Sequence, residues 1–262
     1  MSAAARIHPH AAVDARAVLG AGVDVGPFVV IEGDVEVGAG AVLLPGTVLL
    51  PGTRIGPGAR IGPHAVIGGT PMDARFRGEP SGVDIGAGTV LREHVTVHRA
   101  TGEGERTTIG EDALVMVGVH VSHNGRVGDR VVLTNAVQLG GHVEVGDDAV
   151  LGAGASLHQF VRVGRGAMLG AVSGFNRDVL PFAMARGNPA RHYRLNAVGL
   201  RRRGVTGDRY RALEQALRAI RHREHETLEQ LAATWPEVAE MRDFMAASRR
   251  GTLRFVTDRR PA

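Results

Sequence analysis

The sequence predicts an all-β solenoid, a left-handed parallel β-helix of hexapeptide repeats, followed by a C-terminal α-helical domain. Three observations predict it. Aliphatic residues recur at every sixth position over most of the first 169 residues, a period that is typical of such coils. Glycine occurs 37 times while aromatic residues make up only 4% of the chain, which favours a core of small aliphatic side chains. After residue 189 the repeat gives way to apolar spacings of three and four, which indicate helices.

The hexapeptide repeat runs in three blocks that share one phase. Its aliphatic anchors are Ile7, Val13, Leu19, Val25, Ile31, Val37, Leu43, Leu49, Ile55, Ile61 and Ile67, then Ile85, Leu91 and Val97, then Ile109, Val115, Val121, Val127, Leu133, Leu139, Val145, Leu151, Leu157, Val163 and Leu169. Three hexads close one coil, so these anchors predict about eight coils within a domain that spans 1–189. The two breaks, 68–84 and 99–108, are polar and are predicted to be loops ejected from the coil.

The second predicted domain, 190–262, has the spacing of a small helical bundle. Thr206 is a candidate N-cap for one helix and Thr227 for another, because threonine side chains accept hydrogen bonds from the first turn. Pro236 opens a third helix, since proline is favoured at the first helical position. We expect this bundle to cap one end of the solenoid.

Composition excludes several classes of function. The chain has no cysteine, so it forms no disulfide or thiolate metal site, which favours a reducing compartment. It has no lysine, which excludes Schiff-base chemistry and a Walker P-loop. A net charge of +4 that is carried by arginine indicates local basic patches and no nucleic-acid partner. The sequence shows no signal-peptide core and no apolar run of about 18 residues, so we expect a cytoplasmic protein without stable membrane insertion.

One period of the repeat concentrates titratable side chains. Segment 118–128 carries two histidines, and one of them, His123, is followed directly by Asn124 in a frame that is otherwise aliphatic and rich in glycine. A coil of small residues has no structural need for such a pair. His142 lies 19 residues after His123, and His158 a further 16. Both spacings are close to one coil, so the three rings can stand near one edge of the prism.

Seven motifs give the chain a specific resemblance from end to end. They are MDARFRGEP at 72–80, TVHR at 96–99, HVSH at 120–123, GH at 141–142, HQF at 158–160, GN at 187–188 and NAVGLRRRG at 196–204. In their order and spacing they resemble the UDP-N-acetylglucosamine O-acyltransferases, the family that begins lipid A synthesis. The resemblance implies a homotrimer with active sites between subunits, which transfers a 3-hydroxyacyl chain from acyl carrier protein to the 3-hydroxyl of the UDP-sugar.

The resemblance also implies a role for each site residue. His123 would be the general base, because a sugar hydroxyl is a weak nucleophile and histidine titrates near neutral pH. Asn124 would orient His123, and the N–H of Gly141 would stabilise the oxyanion. Substrate contacts are implied for Asp73, Arg75, His98, His120, His142, His158 and Gln159, and contacts with the nucleotide for Asn196, Arg202 and Arg203. The donor is the phosphopantetheine thioester of the carrier protein, so no cofactor and no metal is expected.

Ala171 is implied to set the acyl length. Relatives with glycine at the matching position admit longer chains, and a bulky side chain there closes the groove. Since alanine is intermediate, we expect a medium-length 3-hydroxyacyl donor.

Departures from the family pattern keep other functions open. The residue after the catalytic histidine is usually aspartate and is here Asn124, which brings no negative charge. Val198 replaces a usual glutamate, and Met72 and Arg75 replace Gln and Lys. One alternative is therefore an acyltransferase or a non-catalytic trimer that acts on another nucleotide sugar, such as a 3-amino sugar. A β-helix carbonic anhydrase would need three histidines converging on zinc, and the spacing of His120 and His123 does not give that pattern.

Overall fold

The computed structural model describes residues 4–256. Within this range 28 short strands, numbered along the chain, form three sheets. The first three residues of the predicted solenoid domain and the last six of the predicted helical domain, 257–262, lie outside the described residues. The division of the chain into two domains at residue 189 stays a prediction.

The three sheets are the three sides of a triangular prism. Sheet A contains β1 (Arg6–Ile7), β4 (Asp24–Val25), β7 (Val42–Leu43), β10 (Arg60–Ile61), β13 (Val90–Leu91), β16 (Leu114–Val115), β19 (Val132–Leu133), β22 (Val150–Leu151), β25 (Met168–Leu169), β27 (Ala183–Gly187) and β28 (Ala190–Leu195). Sheet B contains β2 (Ala12–Val13), β5 (Val30–Ile31), β8 (Val48–Leu49), β11 (Val66–Gly69), β14 (Thr96–His98), β17 (His120–Val121), β20 (Gln138–Leu139), β23 (Ser156–Leu157) and β26 (Gly174–Phe175). Sheet C contains β3 (Val18–Leu19), β6 (Glu36–Val37), β9 (Thr53–Ile55), β12 (Gly82–Ile85), β15 (Arg106–Ile109), β18 (Arg126–Val127), β21 (Glu144–Val145) and β24 (Arg162–Val163).

The chain visits sheets A, B and C in turn, and each solenoid strand pairs in parallel with the strand one coil later. The register stacks anchor on anchor, as where Val115 pairs with Leu133 and Leu133 with Leu151. These side chains point inward and are fully buried. The predicted left-handed parallel β-helix with C-terminal helices is confirmed.

Glycines that follow the anchors serve close packing between coils. A Cβ built on Gly38 would lie 2.6 Å from the backbone nitrogen of Pro57, and one on Gly56 would lie 2.6 Å from that of Ala87. Neither distance leaves room for a side chain, so glycine at these positions allows the next coil to stack directly above.

Strands extend into both predicted loops. β11 runs to Gly69 and β12 begins at Gly82, while β15 begins at Arg106, so the chain outside the strands is 70–81 (the first loop) and 99–105 (the second loop). Each loop connects a strand of sheet B to the next strand of sheet C. Both therefore leave the prism at one edge, which we call the B/C corner.

After the last coil, the chain as far as residue 256 forms an antiparallel hairpin and four helices. β27 pairs with β28, and the helices are α1 (Ala197–Arg202), α2 (Gly207–His222), α3 (His225–Thr234) and α4 (Pro236–Ala246). The sequence did not predict the hairpin or α1. The starts of α2 after Thr206 and of α4 at Pro236 are confirmed, although the Thr206 side chain makes no capping hydrogen bond. The prediction for Thr227 is wrong, because α3 already begins at His225.

The helices cover the end of the solenoid through a second apolar core. Leu180 and Phe182 from the last turns of the coil join Leu200 of α1, Leu213 of α2 and Val238 of α4 in one cluster of buried side chains. None of the helices in residues 4–256 has the length and apolar character needed to span a bilayer.

Candidate active site

The B/C corner repeats one backbone turn in successive coils. Asn124, His142 and Phe160 are each three residues beyond an inward anchor of sheet B and have φ of 57°, 58° and 65°. This left-handed conformation is uncommon outside glycine, although asparagine and histidine tolerate it better than most. The repetition stacks the three side chains one coil apart along a single edge, where the sequence predicted that His123, His142 and His158 would stand near one another.

His123 is buried at this corner with its ring fixed on both sides. Nδ1 lies 3.0 Å from Oδ1 of Asn124, and because a side-chain amide oxygen only accepts, Nδ1 carries the proton. The opposite edge of the ring lies against Gly141, where a Cβ would be 2.6 Å from Nε2. Among the described residues, Nε2 of His123 and the N–H of Gly141 make no hydrogen bond. Nε2 of His123 therefore lies open beside the N–H of Gly141, a donor that is also available.

The first loop brings a carboxylate to His123. Oδ2 of Asp73 lies 3.9 Å from Nδ1 of His123. Arg75 donates to the same carboxylate from its backbone N–H and from its guanidinium, at 2.9 to 3.2 Å. These hydrogen bonds hold the pKa of Asp73 well below its usual range, so the carboxylate is ionised throughout the pH range in which histidine titrates.

His142 forms the next layer above His123. Its ring stacks on Phe160, with centroids 4.6 Å apart and planes 10° apart, and meets the ring of His123 edge-on at 5.2 Å. Burial lowers the pKa of His142, as do the nearby His123 and Arg75. Within residues 4–256 its Nε2 is buried without a partner, which makes it a candidate to bind a substrate oxygen.

The predicted residues around His123 line one open cleft of about 350 Å³. Asp73 and Arg75 form one wall, and Gln159 and Phe160 form the other. His158 is not in this cleft. It lines an adjacent depression with Asn188 and Pro189, and its Nδ1 lies 3.0 Å from the carbonyl oxygen of Gln159.

A second pair of predicted residues lies on the outer face of sheet B. The rings of His98 and His120 meet edge-on at 5.1 Å, and Nδ1 of His120 lies 2.8 Å from the hydroxyl of Thr96. Burial, followed by the charge of His98, lowers the pKa of His120 to about 4. His120 is therefore neutral at pH 7 and suits a hydrogen bond to a sugar hydroxyl better than charge pairing with a phosphate.

The residues predicted to contact the nucleotide lie far from His123 in the chain. Asn196 is the N-cap of α1, accepting from the N–H of Gly199 at 3.1 Å and donating to the carbonyl of Gly166 at 3.0 Å. Arg203 pairs with Asp148 at 3.3 Å. Both lie at the edge between sheets C and A, the C/A corner, and Arg202 is exposed on α1. Structural contacts account for Asn196 and Arg203, and their role with the nucleotide stays a prediction.

Ala171 lies at the third edge of the prism, between sheets A and B, the A/B corner. It is exposed in the turn that follows β25, between two and three coils above the turn of His123. Since stacked strands are about 4.8 Å apart, the two residues differ by about 13 Å in height alone. Its proposed role in acyl length stays a prediction.

Sequence reasoning missed two threonines that hold the site. Thr101 in the second loop exchanges two hydrogen bonds with the Asn124 side chain, both at 3.0 Å. The hydroxyl of Thr107 accepts from the backbone N–H of Asn124 at 2.9 Å. Thr107 is buried although it is polar, and no feature of the repeat distinguishes either residue before the coil closes.

Comparison with known proteins identifies the family. The chain is 36% identical over 255 residues to an acyl-[acyl-carrier-protein]–UDP-N-acetylglucosamine O-acyltransferase of Thermodesulfovibrio yellowstonii, an alignment that covers 95% of this chain and 99% of that protein. The chain belongs to the UDP-N-acetylglucosamine O-acyltransferase family. The family model for domain 2 of these acyltransferases matches residues 178–253, and the model of the bacterial transferase hexapeptide matches 34–69.

Solved UDP-N-acetylglucosamine acyltransferases share the architecture along almost the whole chain. The enzyme of Francisella novicida superposes with a TM-score of 0.92 at 30% identity, covering 96% of this chain and 95% of that one. The protein of Acinetobacter baumannii gives 0.90 at 32% identity, with 95% and 99% covered. Membership of this acyltransferase family sets aside the carbonic anhydrase alternative.

One group in this acyltransferase has the composition of a metal site. Ligand atoms of Asp73, His123 and His142 all lie within 4.8 Å of one another. The nitrogen of His123 that faces Asp73 is Nδ1, however, and it is occupied by the hydrogen bond to Asn124. A cation bound by Nδ1 would have to displace that bond, so the arrangement favours an oriented base over a metal centre.

Proposed function

We propose that this protein transfers a 3-hydroxyacyl chain from acyl carrier protein to the 3-hydroxyl of UDP-N-acetylglucosamine, the first step of lipid A synthesis, with His123 as the general base. The observation that carries the proposal is the state of the His123 ring. Nδ1–H is held by Asn124, which leaves the Nε2 lone pair facing the cleft as an acceptor for a hydroxyl proton.

The residues around His123 can supply each proton transfer that the acyl transfer requires. Nε2 of His123 takes the proton of the sugar hydroxyl as its oxygen attacks the thioester carbonyl. The oxyanion that forms is stabilised by the N–H of Gly141, which makes no other hydrogen bond in residues 4–256. When the C–O bond is complete and the C–S bond breaks, the imidazolium returns its proton to the phosphopantetheine thiolate. Every group needed is a side chain, a backbone N–H or a substrate, so the proposed reaction needs no cofactor. We propose the cytoplasm as the place where the reaction occurs.

Incubation with defined substrates tests this function. Purified protein is mixed with UDP-N-acetylglucosamine and a pool of 3-hydroxyacyl carrier proteins of different chain length, and the products are analysed by mass spectrometry. We expect one acyl-UDP-N-acetylglucosamine and an equal amount of free carrier thiol. A parallel reaction with the 3-amino sugar nucleotide tests the other acceptor, and product from that reaction alone would contradict the proposal.

We propose further that the working enzyme is a homotrimer. The residues assigned to substrate lie on all three edges of one chain, with His123 at the B/C corner, Ala171 at the A/B corner and Arg203 at the C/A corner. One substrate cannot reach three edges of the same prism. A neighbouring copy that presents a different edge would bring these residues into a single cleft.

The outer faces of the prism support the same arrangement. Sheet A presents an apolar stripe of half-buried side chains, which are Val90, Leu114, Val132, Val150 and Met184. Sheet C presents charge at the corresponding positions, including Arg54, Asp84, Arg126, Glu144 and Arg162. A continuous apolar face on a protein surface marks an interface, and we assign sheet A to the contact between subunits.

Sedimentation tests the trimer. We expect the wild type to sediment as a trimer and Val132→Arg, which places a charge in the apolar stripe, to shift it to monomer with loss of activity. The matched control is Arg126→Gln on sheet C, which should leave the trimer intact. A wild type that is monomeric yet fully active would contradict this proposal.

A further inference from the structure

Both ejected loops reach the proposed base because they leave the prism at its corner. The first loop, 70–81, places Asp73 beside the ring of His123, and the second loop, 99–105, places Thr101 against Asn124. The two loops come from the two coils directly below the one that carries His123. The environment of the base is thus assembled from three coils.

The contacts of Asn124 require an amide. Its Oδ1 accepts from Nδ1–H of His123 and from the backbone N–H of Thr101, both at 3.0 Å. Its Nδ2 donates to the carbonyl oxygen of Thr101 at 3.0 Å. A carboxylate at residue 124 would face that carbonyl with a second acceptor, and two acceptors repel each other. Asn124 therefore fixes both the tautomer of His123 and the position of the second loop, but it supplies no charge.

The charge that Asn124 lacks is present in the first loop. The Asp73 carboxylate lies 3.9 Å from Nδ1 of His123, and the two side chains are only 9% and 8% exposed. Arg75 also contacts Asp73, but its side chain is 69% exposed, so water screens its charge more strongly than it screens the buried pair. An ionised carboxylate so close to a buried ring stabilises that ring when it becomes positive.

We propose that Asp73 of the first loop supplies the negative charge that stabilises protonated His123, while Asn124 acts only as the positioning residue that Thr101 locks in place. The inference rests on the proposed function, in which His123 becomes an imidazolium during transfer. In a usual His–Asp pair one carboxylate both orients the ring and stabilises its positive charge. Here Asn124 would orient the ring and Asp73, on a different segment of the chain, would stabilise the charge. Asp73 would act through His123 in addition to any contact with the sugar.

Exchange of the charge between the two positions tests the inference. Asp73→Asn should lower kcat by about 10-fold, the factor that corresponds to one pKa unit of charge stabilisation. It should also move the acid limb of the kcat/KM profile towards acid, because removal of an opposite charge disfavours the charged form of the neighbouring ring. In the Asp73→Asn background, Asn124→Asp should restore the acid limb and part of kcat. In the wild-type background, Asn124→Asp should lower kcat several-fold, because it repels the carbonyl of Thr101.

An NMR titration of the His123 ring, recorded without substrates, separates this inference from the proposed function. Asp73 and His142 lie against the His123 ring, Arg75 lines the same cleft, and Glu105 of the second loop acts on His142. Because Asp73→Asn leaves the Arg75 guanidinium without this carboxylate, the titration is repeated with Arg75→Gln added. We expect the His123 midpoint to fall in both variants and to recover in Asp73→Asn/Asn124→Asp. The matched control is Asp34→Asn, an exposed aspartate in the same turn of a lower coil with φ of 57°, which should change neither midpoint nor turnover.

Two results would overturn the inference. If Asp73→Asn raises KM for the UDP-sugar but leaves the acid limb and the NMR midpoint in place, Asp73 only binds substrate. If Asn124→Asp raises kcat in the wild-type background, the usual pair is better and Asp73 does not replace it. Failure of the wild type to transfer an acyl chain would instead reject the proposed function, and the NMR midpoints would still decide the electrostatic role of Asp73.

Discussion

Within residues 4–256 the buried histidines are His123 at the B/C corner and His192 on β28, and they differ in how their ring nitrogens are used. Nδ1 of His192 lies 3.0 Å from the carbonyl oxygen of Leu253, and its Nε2 accepts from the N–H of Leu180 at 3.0 Å. In His123, among the residues that the structure describes, only Nδ1 has such a partner. A ring with both nitrogens bonded inside the chain is part of the core, whereas a ring with one open nitrogen keeps a lone pair for chemistry.

The environments of His192 and His123 also differ in the parts of the chain that each ring connects. His192 ties the end of the solenoid to the C-terminal segment, since Leu180 and Leu253 belong to these two parts of the chain. Nε2 of His123 makes no hydrogen bond within residues 4–256 and lies beside Gly141, in a ring that lines an open cleft. Loss of His192 should therefore affect stability, and loss of His123 should affect turnover.

The largest effect is expected at His123. Replacement by alanine should lower kcat by about 1,000-fold, because general base catalysis contributes about 10² to 10⁴, while the KM for the UDP-sugar and the free energy of unfolding change little. Steady-state kinetics and urea denaturation measure the two quantities. The control is His64→Ala, an exposed histidine on another corner. A His123→Ala variant with near-normal turnover would show that another group is the base.

His192→Ala should instead destabilise the fold by about 3 kcal/mol, since it leaves the buried N–H of Leu180 without an acceptor and opens a cavity. Urea denaturation of the purified protein measures the loss. Turnover per folded molecule, assayed at low temperature, should stay close to that of the wild type. An equal free energy of unfolding in variant and wild type would mean that the two hydrogen bonds of the His192 ring make no net contribution to stability.

Stability should also depend on pH through His192. Burial lowers the pKa of His192 to about 4, so between that value and about 6.5 the unfolded chain binds a proton that the folded chain does not. The stabilisation is complete above about pH 6.5 and is lost as pH falls towards 4, by up to about 3 kcal/mol. Since the pKa of His120 is also lowered to about 4, it contributes in the same range. Denaturation series at several pH values should show a smaller slope in His192→Ala than in the wild type.

The smallest expected effect is at Ala171, which should change the choice of donor and not the chemistry. Ala171→Gly should move the preferred acyl chain to greater length and Ala171→Met to shorter length, with a severalfold change in kcat/KM per carbon, because each buried CH₂ contributes about 0.8 kcal/mol. Competition in a mixed pool of acyl carrier proteins measures the profile. An unchanged profile in both variants would mean that Ala171 does not line the acyl groove.

The sequence predicted the solenoid well because its information is local and repeated. A β-helix with six residues per side buries aliphatic residues that recur at every sixth position, and each coil repeats the spacing of the coil before it. The stacked anchors Val115, Leu133 and Leu151 show this. The C-terminal region has no such repetition. The α1 helix there is six residues long and is held by the Asn196 cap and the contact of Leu200 with the coil, which its own sequence does not reveal.

For the site, the resemblance supplied the residues, and the structure places Asp73, Arg75, His123, Asn124, Gly141, His142 and Gln159 around one corner. It separates His158 from the cleft. It also gives Asn196 and Arg203 structural contacts at another corner, and their contact with the nucleotide stays a prediction.

The sequence by itself therefore determined the prism and its inward anchors, and its resemblance to the family indicated His123 as the candidate base. Only the tertiary structure decided which groups surround that histidine. Thr101 and Asp73 lie 22 and 50 residues before His123. Because two loops leave the same edge of stacked coils, Asp73 lies beside His123 and Thr101 binds Asn124, the residue that holds its ring. The repeat can be recognised from residues that are close together in the sequence. The contacts of the two loops with the turn of His123 form only when the coils close and bring distant segments of the chain to one corner.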